Sequence, residues 1–172
     1  MHNLPQTLEI ITRTPAVVRN LLLGLSDAWV HGNYGEDTWS AYQVLGHLII
    51  AERDDWMPRL HRILEHGESK PFDPFPHDAT LAQSSVVPLA SLLDEFQHLR
   101  EASIRDLVAL NLTPEDLSGT GTHPSLGRVT AGQLISTWAV HDLHHIRQMC
   151  KAMAWQYRDN VGPWRAYLNT VR

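Results

Sequence analysis

The sequence has a single cysteine and no long apolar stretch. Among its 172 residues, Cys150 has no second cysteine with which to form an intramolecular disulfide. The most apolar stretches, such as residues 21–23 and 48–50, are far shorter than the roughly 18 residues that a membrane-spanning helix needs. The first fifteen residues lack the basic segment and apolar stretch of a secretory signal. These absences predict a cytoplasmic protein with no membrane segment.

Positive charge is also scarce. The chain has 14 Lys and Arg against 19 Asp and Glu, which gives a formal net charge of −5, and no cluster of basic residues is present. Nucleic acids and anionic membrane surfaces both attract clustered Lys and Arg. The composition therefore argues against either as a main partner.

The length and the hydrophobic pattern predict one helical domain over residues 1–172. Hydrophobic residues make up 43% of the chain, enough for a sizeable core without disulfides. Apolar residues recur at helical spacing between turn signals, whereas strand-like alternation is absent and residues 120–128 are expected to be irregular. We predict helices over about residues 4–25 with a break at Thr14-Pro15, 40–67 with a bend at Pro58, 87–110 and 131–157, and a short terminal helix over residues 164–171.

A proline-rich segment separates the second helix from the third. It covers about residues 68–84 and contains Phe72 and Phe75, whose exposure to water would be costly. We therefore expect a packed loop, and its part from Phe72 to His77 is a candidate cover for a site. Four amphipathic helices with one long connection pack most simply as an all-α, up-down four-helix bundle.

Histidine stands out beside the single cysteine, with eleven in the chain. His141 and His145 are four residues apart in the last long helix, so their rings can converge on one metal ion. They continue the apolar stripe that includes Leu134 and Trp138, and a metal would satisfy two imidazoles that are otherwise costly to bury. The alternative is that both are core histidines with hydrogen-bond partners. His144 lies on another face of the helix and is a weaker candidate.

A third ligand has to come from another helix, because two imidazoles leave the coordination of an ion incomplete. His47 is the best candidate, since it lies in the most apolar part of the second helix, over residues 44–51. Taken alone, it could equally be a core histidine bonded to a carbonyl group.

These residues resemble the DinB-like (DinB/YfiT) family of metal-binding four-helix bundles. The resemblance rests on Trp39-Ser40, Gly46-His47-Leu48 and Glu52 in the second helix, and on His141, His145 and Gln148 in the fourth. It implies a divalent ion, such as zinc or nickel, held by His47, His141 and His145, and it implies frequent homodimers. Members of the family include thiol-dependent transferases that use low-molecular-weight thiols, and proteins described as hydrolases.

Other residues are candidates for the surroundings of the ion. Gln148 is one turn beyond His145 and is expected to line a pocket, and Trp39, Trp56 and Trp138 could form its apolar walls, although ordinary core positions explain them equally well. Asp54 and Asp142 could orient a ligand or accept a proton, but solvated or salt-bridged surface carboxylates are the simpler interpretation of both.

Three functions are consistent with this sequence. The first is a metal-dependent enzyme that acts on a small molecule by thiol-dependent transfer or hydrolysis. The second is a non-catalytic bundle in which the ion is a closed structural brace or binds a ligand. The third is a helical interaction protein without metal. An enzyme requires an open coordination position beside a pocket.

Overall fold

The computed structural model describes residues 3–76 and 87–172. Eight α-helices, three short 3₁₀ helices and one β-hairpin are formed within these ranges. The α-helices are α1 (Leu4–Ile11), α2 (Thr14–Leu22), α3 (Asp27–His31), α4 (Ala41–Asp54), α5 (Trp56–His66), α6 (Leu89–Ala109), α7 (Pro114–Ser118) and α8 (Ala131–Trp155). The 3₁₀ helices are Gly67–Ser69, Gly162–Tyr167 and Asn169–Val171.

Four helical layers form the predicted bundle. The α1–α2 pair is the first layer and the α4–α5 pair the second, while α6 and α8 are the third and fourth. Helix α1 packs against α8 and α2 against α6, whereas the α4–α5 pair packs against both α6 and α8. Each of the first two layers therefore contacts both of the last two. The prediction of a mainly helical four-helix bundle is confirmed.

The helix that carries His47 begins and ends for local reasons. Ser40 accepts a hydrogen bond from the Gln43 N–H while the Gln43 side chain accepts one from the Ser40 N–H, and this capping box fixes the start of α4. The predicted bend occurs as a break at Asp55, three residues before Pro58. Proline has no N–H with which to continue the helical hydrogen bonds across this point. The break separates α4 from α5.

Two predictions about the ends of the first and last segments need correction. The first segment has its break at the predicted place, but α2 ends at Leu22 and a separate short helix, α3, follows. Gly24 adopts a φ of +84°, which a continuous right-handed helix does not allow. The predicted terminal helix is two 3₁₀ turns.

The prediction of irregular structure at residues 120–128 was wrong. Thr120–His123 and Gly127–Thr130 form an antiparallel hairpin, in which His123 pairs with Gly127. The strands have four residues each, too few for the alternation of side chains to be evident in the sequence. The hairpin leads directly into α8, whose Thr130 cap again forms a capping box.

The proline-rich loop that follows α5 is packed against this hairpin, as expected. The Phe72 N–H donates to the Thr122 carbonyl oxygen at 2.9 Å, and the Phe72 ring is buried. The ring lies against Gly121, where an added Cβ would be 2.8 Å from an Ile63 side-chain carbon and 3.1 Å from the ring. The rest of the predicted loop, residues 77–84, lies outside the described residues.

The core has two apolar clusters along the bundle. One includes Val44, Leu48 and Phe96, and the other includes Trp56 and Trp138. A few buried polar side chains come from α4, α6 and α8 and build the site described below and the ionic network behind it: His47, Glu52, Arg100, Asp142 and His145. In the described part of the chain, every helix is too short or too polar to cross a bilayer.

Candidate metal centre

Three histidine rings from two helices meet between the apolar clusters. The Nε2 atom of His141 lies 3.0 Å from Nε2 of His47 and 3.1 Å from Nε2 of His145. His47 and His145 are both 7% exposed. In the described ranges, these histidines are the only set of three or more potential His, Cys, Asp or Glu ligands that could hold one metal ion. The structure thus brings together the three predicted ligands, and His144 is an exposed neighbour of the group.

The surroundings keep the His141 and His145 rings neutral. Burial, together with the neighbouring His145 and His47 rings, lowers the pKa of His141 to about 2. Burial also lowers the pKa of His145, against the opposing effect of Gln148. A neutral imidazole keeps a lone pair on one nitrogen, and this is the form that binds a metal.

Gln148 sets the orientation of one of these rings. Its Oε1 atom lies 2.8 Å from Nδ1 of His145 and accepts the Nδ1–H hydrogen bond. The Nε2 lone pair of His145 is then directed at His141. Such a hydrogen bond on the far nitrogen is the usual support for a histidine that binds a metal.

The predicted tryptophans lie at different distances from the histidines. The Trp39 ring centroid is 5.0 Å from that of His47, and the Trp56 centroid is 5.0 Å from that of His141. Trp138 stacks on Trp56 at 5.5 Å, one layer further into the core. The first two tryptophans therefore line the histidine cluster, and Trp138 supports one of them.

A cavity of about 400 Å³ opens beside the cluster. His47 and His141 form part of its wall, and Phe75 lies over His47 with its ring centroid 5.0 Å away. The predicted covering loop thus reaches the cluster through Phe75, while His77 is outside the described residues. An ion at the histidines would be accessible from this cavity.

The carboxylate in the cavity is Asp55 rather than Asp54. Asp54 is exposed and faces a separate groove next to Pro58 and Arg62. Asp55 is buried and lines the cavity with the histidines, because the helix break occurs at this residue. Burial raises the pKa of Asp55 to about 6, against the opposing effect of Arg59.

Sequence reasoning also missed Arg59 and His123, which line the same cavity. The Arg59 Nε atom lies 2.5 Å from Oδ1 of Asp55, four residues earlier. His123 reaches the cavity from the end of the first hairpin strand, and burial and Arg59 together lower its pKa. The β-branched residues on either side of the Pro-Ser-Leu-Gly turn were the available signal for this hairpin.

Asp142 forms a salt bridge, as one of the alternatives for it expected, but the expected surface location was wrong. It is fully buried, and its two oxygens bind Arg100 at 2.6 and 3.0 Å. Arg100 also donates to Glu52 at 2.9 Å, and Trp138 donates to the same Glu52 oxygen at 3.1 Å. This buried ionic network lies behind the histidines and braces the helices that carry them.

Comparison with known proteins agrees with this geometry. A protein of Oceanobacillus iheyensis named "Putative metal-dependent hydrolase" is 26% identical over 146 residues, which cover 82% of each chain. YfiT from Bacillus subtilis, described as "a probable metal-dependent hydrolase with an unusual four-helix bundle topology", has a similar fold with a TM-score of 0.74. That structural match has 17% sequence identity and covers 92% of this chain and 87% of YfiT. The family model of the DinB superfamily matches residues 10–149, so the chain belongs to the DinB superfamily.

Proposed function

We propose that this protein is a metal-dependent hydrolase of a small molecule, with one divalent ion bound by His47, His141 and His145. The observation that carries the proposal is the convergence of the three Nε2 atoms beside an accessible cavity. The related protein from Oceanobacillus iheyensis is named for the same class of activity. Zinc or nickel is the proposed ion, since both accept neutral imidazole ligands.

The donor set fits such an ion. Two imidazole nitrogens bound to one zinc at tetrahedral angles lie roughly 3.3 Å apart, given metal–nitrogen bonds of about 2.0–2.1 Å. The observed separations of 3.0 and 3.1 Å are close to this value. When all three Nε2 atoms carry lone pairs, as metal binding requires, these lone pairs repel one another and a bound cation removes the repulsion. Three protein ligands also leave a coordination position for water or substrate, as catalytic zinc sites do.

When bound, the ion would lower the pKa of a water molecule and polarise a substrate carbonyl group. The chain itself performs the remaining tasks. Gln148 holds the tautomer of His145, and Trp39 and Phe75 cover the apolar side of the cluster. The pKa of Asp55, raised to about 6, is close enough to neutral pH for this carboxyl group to exchange a proton in the cavity.

A closed structural brace is the competing role for the ion. A purely structural ion does not need an accessible cavity. The proposed ligands nevertheless border a cavity of about 400 Å³ that is lined by an arginine, a carboxylate and a further histidine. Thiol-dependent transfer, which the family resemblance also implies, would use the same ion to activate a low-molecular-weight thiol. Homodimer formation and a cytoplasmic location stay predictions.

Metal analysis tests the proposed ligands. The untagged full-length protein is expected to contain about one zinc or nickel ion per chain, and His141→Ala is expected to lose it. His98→Ala is the matched control, because His98 is exposed on α6. Equal metal content in the natural chain and His141→Ala would refute the site.

Turnover then separates the possible activities. A panel of chromogenic esters and amides is assayed with and without added glutathione or cysteine. Hydrolysis requires metal but no thiol, whereas transfer requires both. Metal at full occupancy with no turnover of any compound under either condition would favour the structural brace.

A further inference from the structure

A second, smaller cavity continues from the one beside the histidines. It has a volume of about 220 Å³, and Asp55, Arg59, His123 and His141 line both cavities. The four polar residues therefore lie where the two spaces adjoin. One end of the combined space borders the proposed metal, and the other end extends away from it.

The smaller cavity is mainly apolar. Beyond the shared residues, its walls include Trp56, Phe72, Val129 and Leu134. Cavities of about 150 Å³ with apolar walls hold a benzene ring. A space of about 220 Å³ thus has room for one aromatic ring or a branched aliphatic group. Filling it with such a group would exclude water from apolar side chains.

Arg59 is held in place where the two cavities adjoin, and not all of its N–H groups are used in this. Its Nε atom faces Asp55, its Nη2 donates to the Asp73 carbonyl oxygen at 3.3 Å, and its guanidinium lies 5.2 Å from the Phe72 ring centroid. The whole residue is 8% exposed. Within residues 3–76 and 87–172, Nη1 of Arg59 donates to no acceptor. An arginine that is already oriented and nearly buried is suited to bind a carboxylate or a carbonyl oxygen.

We propose that the two cavities bind an acyl compound, with its aromatic or branched aliphatic group against Phe72 and Val129 and its carbonyl group between Arg59 and the histidines. The hydrolytic step rests on the proposed function: water adds its oxygen to the acyl carbon, and the ester C–O or amide C–N bond breaks. The leaving alcohol or amine takes one proton of the water, and the acid releases the other as it ionises. The product is an apolar carboxylate, which Arg59 binds.

Binding of the product class can be measured without metal or catalysis. The probes are phenylacetate, phenylacetamide and acetate, titrated into the full-length chain after treatment with EDTA and, separately, after loading with zinc. Isothermal titration calorimetry gives affinity, and the indole N–H signal of Trp56 in ¹H–¹⁵N NMR spectra reports occupancy of the inner cavity. A Trp56→Phe variant assigns that signal.

Phenylacetate is expected to bind with an affinity at least tenfold higher than that of phenylacetamide or acetate. Arg59→Gln is expected to remove the preference for phenylacetate over phenylacetamide. Val129→Phe fills the inner cavity. It is expected to lower the affinity for both phenyl compounds at least tenfold without changing the affinity for acetate. Thermal melts show that each variant is folded.

The metal-free titration keeps this proposal separate from the proposed function. Saturable binding of phenylacetate that depends on Arg59 and Val129 supports the acyl site even if the histidines hold no metal. Absence of binding to the natural chain, or binding that neither variant changes, would overturn it even if the metal analysis succeeds.

Discussion

Arg100 and Asp142 form a two-pronged ion pair in the centre of the bundle. The Nη1–Oδ2 distance is 2.6 Å and the Nη2–Oδ1 distance is 3.0 Å, and neither side chain is more than 1% exposed. Arg100 also donates to Glu52 and to the Ile11 carbonyl oxygen. One guanidinium group on α6 therefore ties together α1, α4 and α8, including both helices that carry the clustered histidines.

Arg100→Met is expected to destabilise the protein by about 3–5 kcal/mol, because it leaves the Glu52 and Asp142 carboxylates buried without their cation. Urea unfolding at pH 7 measures this change. Arg19→Met is the matched control, since Arg19 pairs with Asp94 at the surface and its loss is expected to cost less than about 1 kcal/mol. Similar losses for the two variants would contradict a special role for the buried network.

The contrast between the histidines and this network shows what one sequence reveals. The four-residue spacing of His141 and His145 makes this pair recognisable in the sequence, and His47 stands out as a polar residue in an apolar helix. Asp142 has no such signal, because its partner Arg100 is 42 residues away on a helix with many other charged residues. A buried ion pair and a surface pair look alike until the packing of the two helices is known.

Asp55→Asn is expected to change the pH dependence of stability. Burial raises the pKa of Asp55 to about 6 from its ordinary value of 3.8, so the folded chain retains a proton that the unfolded chain has released. The free energy of unfolding therefore falls as the pH rises through 6. Between pH 5 and 7.5 this loss is about 1.4 kcal/mol, and the Asn variant does not suffer it.

Urea unfolding of both proteins at pH 5 and 7.5, in the presence of EDTA, measures the effect. The stability of Asp55→Asn relative to the natural chain should rise by about 1.4 kcal/mol between the two pH values. The exposed neighbour provides the control, and Asp54→Asn should shift much less. A constant difference between Asp55→Asn and the natural chain would show that this carboxyl group has no raised pKa.

The outer wall of the candidate site was harder to predict than its centre. His123 and Arg59 reach the cavity only because the hairpin folds back on α5, and a four-residue strand carries little periodic signal. Asp55 was missed for a related reason. Helical periodicity assumes a continuous helix, and the break at Asp55 changes which of two adjacent carboxylates faces inward.

Gly121→Ala tests how firmly the hairpin and the covering loop are joined. An alanine Cβ would lie 2.8 Å from an Ile63 side-chain carbon and 3.1 Å from the Phe72 ring, so the ring or the strand has to move. Overpacking of this kind costs about 1–3 kcal/mol. Thermal or urea unfolding measures it, with Ser125→Ala at the exposed turn as the control. If both variants are as stable as the natural chain, the close packing of Phe72 on the hairpin does not contribute to the stability of the fold.

Gln148→Leu is expected to weaken metal binding without removing a ligand. The variant loses the acceptor for the Nδ1–H of His145, so the ring is free to change tautomer and orientation. Loss of such a support typically lowers metal affinity by about 10- to 100-fold. Competition for zinc with a chromogenic chelator measures the affinity, and circular dichroism checks the fold. Gln148→Glu keeps an acceptor oxygen at this position and should restore binding to at least the natural level. Equal zinc affinity for Gln148→Leu and the natural chain would show that His145 does not depend on this hydrogen bond.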